Sequence, residues 1–263
     1  MRDFVEDALN HRDDGYGRAQ RLIKRELPKR FYKETGVAAV EGGYTVTLDG
    51  RPTRTPGNKT PVAVPVVDLA EAMAAEWAGQ GERIDAETMP VVRLVNSALE
   101  SGSETLPAFR EEVVKYAASD LLLYRADSPR ELVAEQERLW DDALVRAARH
   151  FGVSFQPTIG ILHQPQPEAT LSRLGEMLAA EGLLTMTALV SITNLTGSGI
   201  LALSLRHQLL EPEDVWVRAH VDEDHQARLW GMDEEAALRR TKRKAEFDAA
   251  VAVLEFLGEE RGR

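Results

Sequence analysis

A chain of 263 residues with 43% hydrophobic content is long enough to bury a sizeable core as one large domain or two smaller ones. Its net charge of −11 argues against general affinity for nucleic acid or anionic membranes, because both reward a positive field. The absence of cysteine excludes disulfides, thiolate zinc sites and thiol catalysis, and fits a reducing compartment.

The N-terminal residues 1–17 carry few apolar side chains and a break at Asp13-Asp14-Gly15, which predicts a weakly docked arm. They hold no apolar run of secretory length, and their acidity is unlike a transit peptide, so a cytosolic product is expected. Arg18 to Lys33 holds seven Lys/Arg against one Glu, a basic run suited to an acidic surface. From Arg30 to Pro65, Tyr44, Val46 and Leu48 alternate with Thr45 and Thr47, and Gly42-Gly43 and Asp49-Gly50 supply turns. This pattern predicts a small antiparallel sheet. Pro52, Pro56, Pro61 and Pro65 lack backbone donors and confine the later strands to edges. Helices should cover it: Val66, Leu69, Ala70, Met73 and Trp77 share one face, and Val91, Leu94, Val95, Ala98 and Leu99 form another stripe.

After Ser101-Gly102-Ser103 the period turns helical, with helices expected over 104–122, 129–151, 168–181, 183–194, 198–209, 211–229 and 234–257. The expected class is α+β, with a mixed N-terminal domain over 1–103 and a larger helical domain, an orthogonal bundle, over 104–263. Pro129 and Pro212 suit first turns, Gly182 a helix stop, and Asp233 the cap of the last helix. Residues 155–167, with three prolines, read as an extended connection. The apolar stretch from Leu183 to Leu205 is interrupted by Asn194 and Gly197-Ser198-Gly199, so it reads as buried helices and not a membrane span. The Gly197-Ser198-Gly199 step permits close helix contact and lacks the Gly-x-Ser-x-Gly spacing of a nucleophile elbow.

Three polar residues fall on apolar helical stripes: Asp120, Gln136 and Glu223. At about 100° per residue, Glu223 shares a sector with Trp216, Ala219, Ala227 and Trp230, whereas Arg218, Val221 and His225 point the other way. A carboxylate withdrawn from water requires a partner, either internal (an arginine or Gln226) or on another molecule. The cluster His220 to His225 invites a metal test, but histidines five apart do not share a helix face; a solvated charged surface is the simpler expectation. The alternative enzyme reading is a metal-assisted hydrolase using Glu223 with His220 or Asp224. Gly57-Asn-Lys-Thr60 lacks the first glycine and the flanking elements of a phosphate loop, and no dinucleotide fingerprint is present. The run Arg239 to Lys244 surrounds its helix and lacks the aromatic platform of an RNA site. No cofactor and no catalytic set is expected.

Several phrases in order carry a resemblance. They are Arg30-Phe-Tyr-Lys33, Leu48-Asp-Gly-Arg-Pro52 with Thr55-Pro56, Leu69-Ala70, Ala75-Glu-Trp-Ala-Gly-Gln80, Met89-Pro90, and Ser119-Asp-Leu-Leu122 with Tyr124-Arg125. Gln136 with Trp140 follows, then Asp222-Glu223, Gln226, Trp230-Gly231, Asp233 and Glu235-Ala236. From Arg30 to about Leu257 the chain resembles the ATP synthase assembly factor family, the chaperones of the alpha subunit of the catalytic sector. It departs at Trp140-Asp141-Asp142, where the family has Trp-Asp-Pro, near Arg146, where it has an aromatic, and at Glu100, where it has Asp.

The resemblance implies a mixed N-terminal and a helical C-terminal domain, and binding without turnover. The expected partner is an unassembled alpha subunit, whose apolar interface is covered until the beta subunit takes it, without ATP. The family's important acidic residue maps onto Glu223 and its Glu-Trp-x-x-Gln tryptophan onto Trp77. With Asp222, Gln226, Trp230 and Asp120, these are the expected partner-binding residues. A monomer in the bacterial cytoplasm is expected, where eukaryotic members work in the mitochondrial matrix.

Overall fold

The computed structural model describes residues 27–259; the expected N-terminal arm and most of the first basic run lie outside them. The fold is α+β: a small antiparallel sheet precedes a mostly helical remainder. Strands β1 (Thr35–Val40), β2 (Gly43–Leu48) and β3 (Arg51–Pro52) lie in the order β1-β2-β3, with Val37 opposite Val46 and Leu48 opposite Arg51. The turn at Gly42-Gly43 needs glycine, since both have positive φ and a Cβ on Gly43 would meet the Val64 carbonyl oxygen at 2.1 Å. Val46 and Leu48 are buried as their alternation predicts, and Thr45 on the other face is buried too.

Helix α1 (Val67–Ala78) covers β1 and β2 through Leu69, Ala70 and Met73. Its Glu76 carboxylate accepts the N–H groups of Val91 and Val92 at 2.9 and 2.8 Å, so one helix caps the N-terminus of the next, α2 (Pro90–Ser101). Helix α2 packs on α1 and on the helices Leu183–Thr196 and Glu234–Glu259. One buried cluster runs from Tyr32 to Leu254 without a break.

The remaining helices are α3 (Leu106–Ala118), α4 (Arg130–Gln136), α5 (Asp142–Phe151), α6 (Glu168–Leu178), α7 (Leu183–Thr196), α8 (Gly199–Arg206), α9 (Pro212–Ala219), α10 (Val221–Trp230) and α11 (Glu234–Glu259). Helix α7 is mostly apolar and central, touching α2, α3, α8, α9 and α11, with Asn194 exposed. The expected continuous helix 129–151 contains a π-helical turn over Glu137–Asp141. Gly182 stands at the N-cap of α7 and not at a helix stop, because α6 already ends at Leu178. Asp233 does cap α11, accepting the Ala236 N–H at 2.7 Å. The connection 155–167 carries a short strand, β5 (Thr158–Ile159), parallel to β4 (Tyr124–Arg125). No helix of the described residues is long and apolar enough to cross a membrane.

At the Gly197-Ser198-Gly199 step, Gly197 ends α7 in the left-handed region, and α8 begins against α3. A Cβ on Gly199 would meet the Val113 carbonyl oxygen at 2.3 Å and the Ala117 nitrogen at 3.0 Å. Backbone cannot yield as a side chain can, so Gly199→Ala is expected to cost about 2 kcal/mol by forcing α8 off α3. Urea unfolding measures this; a loss below about 0.5 kcal/mol would show that the contact has slack.

Candidate docking surface

The corner formed by α10, Gly231 and the start of α11 gathers most of the expected partner residues. The expected helix 211–229 breaks at His220, whose φ of −118° and ψ of 17° end α9 and start α10. That break resets the helical phase and inverts the predicted face of α10. Val221 and His225, expected outside, are buried; Trp216 stays in the core on α9; Glu223, Gln226 and Trp230 turn to solvent. Arg218 is also inward. Its guanidinium is satisfied there, donating to the Leu139 and Asp214 carbonyls and to the Asp142 carboxylate at 3.1, 3.1 and 2.9 Å.

Glu223 therefore has an internal partner and remains accessible. Its side chain is 56% exposed, and Oε1 lies 3.3 Å from an Arg243 nitrogen. Arg243 also donates to the Leu195 carbonyl at 2.7 Å, which fixes it regardless of Glu223. An exposed pair of this kind is worth at most about 1 kcal/mol, so exchanging it for an incoming cation costs little. Asp222 is half-buried and accepts the Gln136 side-chain amide N–H at 2.7 Å, while the Gln136 side-chain Oε1 accepts the Ala126 N–H at 2.8 Å. The polar residue expected on the 129–151 stripe thus ties α10 to α4. Asp224 pairs with Arg240 and Arg228 with Glu135, which holds α10 against α11 and α4.

At the end of α10 the surface becomes apolar. Trp230 is 78% exposed, with Leu229, Met232 and Leu238 also exposed around the Gly231 bend. The three aliphatic residues are additions to the sequence reading. For Leu229 and Met232 the signal is the run Leu229-Trp230-Gly231-Met232, whose large side chains sit too close together for one helical face; nothing comparable marks Leu238. An exposed apolar corner with a charged border is the composition of a protein-contact surface.

The other two expected residues lie elsewhere. Trp77 sits on α1, half-buried, with its ring edge-on to Tyr32 at 5.6 Å; the Tyr32 hydroxyl donates to the Trp77 carbonyl at 2.7 Å. Trp77 lines a groove beside Phe31, Arg51 and Arg54. Asp120 is fully buried and has no surface to offer a partner. Its oxygens accept the N–H groups of Leu122 and Ile200 at 3.1 and 2.9 Å, so it ties the turn after α3 to the start of α8. Its place among partner-binding residues is corrected: burial makes it a structural cap.

The hydrolase geometry does not assemble. The His220 ring is 1% exposed, with Nδ1 2.7 Å from the Trp216 carbonyl and Nε2 3.9 Å from Glu223. Burial pushes this imidazole below its ordinary value, against the pull of that carbonyl and of Glu223. Asp224 is turned toward Arg240. Among the described residues no three His, Asp or Glu side chains form a group fit for a metal ion. Of the expected solvated face, both histidines are buried, whereas Glu223 is exposed and Asp222 and Asp224 are half-buried.

The family model for the ATP12 chaperone protein matches residues 29–148. A solved structure of a candidate chaperone from Agrobacterium tumefaciens is 41% identical, with 98% of this chain and 97% of that chain covered and a TM-score of 0.84. The structure of Atp12 from Paracoccus denitrificans is 34% identical over 87% of this chain and 98% of that one, with a TM-score of 0.80. A mutant of Paracoccus denitrificans Atp12p gives the same identity and TM-score. The family match ends before α10, whereas the structural matches span nearly the whole of their chains. The chain belongs to the ATP12 chaperone family, the ATP synthase assembly factors that its sequence phrases resemble, and it is a chaperone and not an enzyme.

Proposed function

We propose that the protein binds the unassembled alpha subunit of the F-type ATP synthase catalytic sector, covers its apolar subunit interface, and yields it to the beta subunit. The observation that supports this reading is the corner at Trp230, where a 78% exposed indole stands among exposed aliphatic residues beside the Glu223 carboxylate. A lone subunit exposes the faces that it later buries, and such surface aggregates until it is covered. Release needs no nucleotide: binding must beat client self-association and lose to the final interface, which is an ordering of affinities. The complex is expected to bury on the order of 1,200–2,000 Å². Glu223, Gln226 and Trp230 make direct contact, Asp222 positions them through Gln136, and the protein works as a monomer in the bacterial cytoplasm.

Co-expression with the organism's own alpha subunit tests the reading. The subunit should stay soluble and co-purify with the wild type; equal aggregation with and without the chaperone, and no recovered complex, would overturn it. Trp230→Ala is expected to weaken client binding by about 2 kcal/mol, roughly thirtyfold, as for other exposed aromatic anchors. Glu223→Lys should weaken it too, with melting temperature near wild type, because the lost pair with Arg243 is exposed. A collapsed fold in Glu223→Lys would reassign Glu223 to the scaffold.

A further inference from the structure

We propose that the groove between Phe31 and Trp77 is a second client contact, which takes an acidic segment of the client carrying an aromatic or aliphatic side chain. This rests on the client-binding reading above and adds to it a separate surface and a chemistry.

The groove is built from three rings in series. Phe31, 71% exposed, stands edge-on to Tyr32 with centroids 5.4 Å apart, and Tyr32 in turn stands edge-on to Trp77 at 5.6 Å. The Tyr32 hydroxyl is anchored on the Trp77 carbonyl and the Arg30 guanidinium lies 4.5 Å over the Tyr32 ring. The central ring is thus held before any partner arrives, which lowers the ordering cost of binding. Phe31 remains the exposed face of this ladder, a large apolar surface that no other described residue covers.

The border is cationic. Arg51 and Arg54 line the groove on β3 and just beyond it. Neither arginine has an ion pair among the described residues; Arg54 donates to the Lys59 carbonyl at 2.9 Å. The acid on the same lining, Asp49, keeps its charge and attracts Lys33 and Arg51, while its Oδ1 accepts the N–H groups of Lys33 and Glu34, both at 2.9 Å; the two arginines still outnumber it. Lys29, Arg30 and Lys33, the described cations of the run Arg18 to Lys33, flank Phe31 and Tyr32 in sequence, with Arg30 held by the Tyr32 and Gln80 carbonyls. In a chain of net charge −11, this is a local reversal of sign. Beyond a Debye length of ~8 Å the salt screens the arginines and the acidic remainder of the chain alike, so the attraction acts on docking and not on steering.

Charge complementarity sets the occupant. The α10 corner presents the exposed Glu223 carboxylate, whereas this groove presents arginines with stacked rings, so a client bridging both must carry opposite charges at the two ends. Such paired signs fix the orientation of the bound subunit. Trp77 and Trp230 stand on different elements, α1 against the sheet and the end of α10, so a client that reaches both gains affinity through effective concentration.

The test uses the full chain and two fluorescein-labelled hexapeptides, Glu-Leu-Asp-Phe-Glu-Asp and Lys-Leu-Lys-Phe-Lys-Lys, read by fluorescence anisotropy. The acidic peptide should bind wild type, weaken severalfold as salt rises from about 0.05 to about 0.5 M, and lose about tenfold or more in affinity with the R51E/R54E double variant. The basic peptide should prefer the reversed variant. The Trp77 indole N–H resonance, assigned with Trp77→Phe, should move on titration. Phe31→Ala, which removes an exposed ring, should weaken the acidic peptide without a charge change and serves if the double variant does not fold. No binding of the acidic peptide to wild type, or equal binding to wild type and both variants, overturns the inference. Client capture separates the two readings. If wild type captures the alpha subunit and R51E/R54E captures it equally, the groove proposal fails alone. If wild type captures none, the client reading fails, and acidic-peptide binding at Trp77 then marks a groove for some other acidic protein.

Discussion

Trp140→Ala is expected to lower the stability of this protein by about 4 kcal/mol, in the range for removing a fully buried large aromatic. Trp140 has no exposed surface and lies within the π-helical turn between α4 and α5. Its indole nitrogen donates to the Arg218 carbonyl at 2.9 Å, and the Arg218 guanidinium returns a bond to the Leu139 carbonyl at 3.1 Å. The π turn and α9 thus clasp each other through both partners, with the Arg125 guanidinium 5.2 Å over the indole ring. Loss of the ring leaves a cavity, an unpaired carbonyl and a loosened Arg218, two residues from the His220 break that sets the phase of α10. Urea unfolding of Trp140→Ala and Trp140→Phe separates these effects. Phe keeps most of the volume and loses only the donor, so about 1–2 kcal/mol is expected. A loss in Trp140→Ala below about 2 kcal/mol would mean that the turn can collapse around the gap.

Asp120→Ala should cost about 3 kcal/mol, because it strips the acceptor from the buried N–H groups of Leu122 and Ile200 at once. Burial pushes the Asp120 carboxyl up to about 7, against the Ser198 hydroxyl and the N–H groups of Ile200, Leu122 and Gly199, which pull it down. In the unfolded chain the same group titrates near ~3.9. The native state therefore binds a proton that the unfolded state has lost, so the contribution is complete below about 4 and fades as pH rises through 7. Asn cannot ionise. Stability measured at pH 4.5, 6 and 8 should shift in favour of Asp120→Asn, relative to wild type, as pH climbs. The opposite slope would show that the backbone donors hold Asp120 ionised inside the protein.

The parts of this fold that were legible share a property: their burial follows side-chain polarity. Val46 and Leu48 alternate and are buried, and Leu69, Ala70 and Met73 face the sheet as their spacing requires. Gly199 was legible as a close contact because glycine is what a backbone approach demands. What failed is where polar groups go inside. No Gly or Pro marks the break at His220, and the face behind it holds Arg218 and His225, which local sequence scores as outward. Arg218 is tolerated inside only because Leu139, Asp214 and Asp142, distant in sequence or a turn away, supply acceptors. The wide turn at Glu137–Asp141 leaves an apolar periodicity that still resembles one helix. Strands β4 and β5, two residues each, are too short for alternation to register. Glu223, Gln226 and Trp230 were singled out together and do stand together, although the reason is a phase reset and not a shared apolar line.

The uneven placement of the four tryptophans gives the molecule an optical signature of its own. Trp140 and Trp216 emit from dry surroundings, Trp77 from a partly wet one, and Trp230 from water. The red edge of the intrinsic fluorescence therefore belongs chiefly to the indole at the α10 corner. A quencher such as acrylamide should reach that component first, and covering the corner should move it to the blue, so occupancy can be followed without any attached dye.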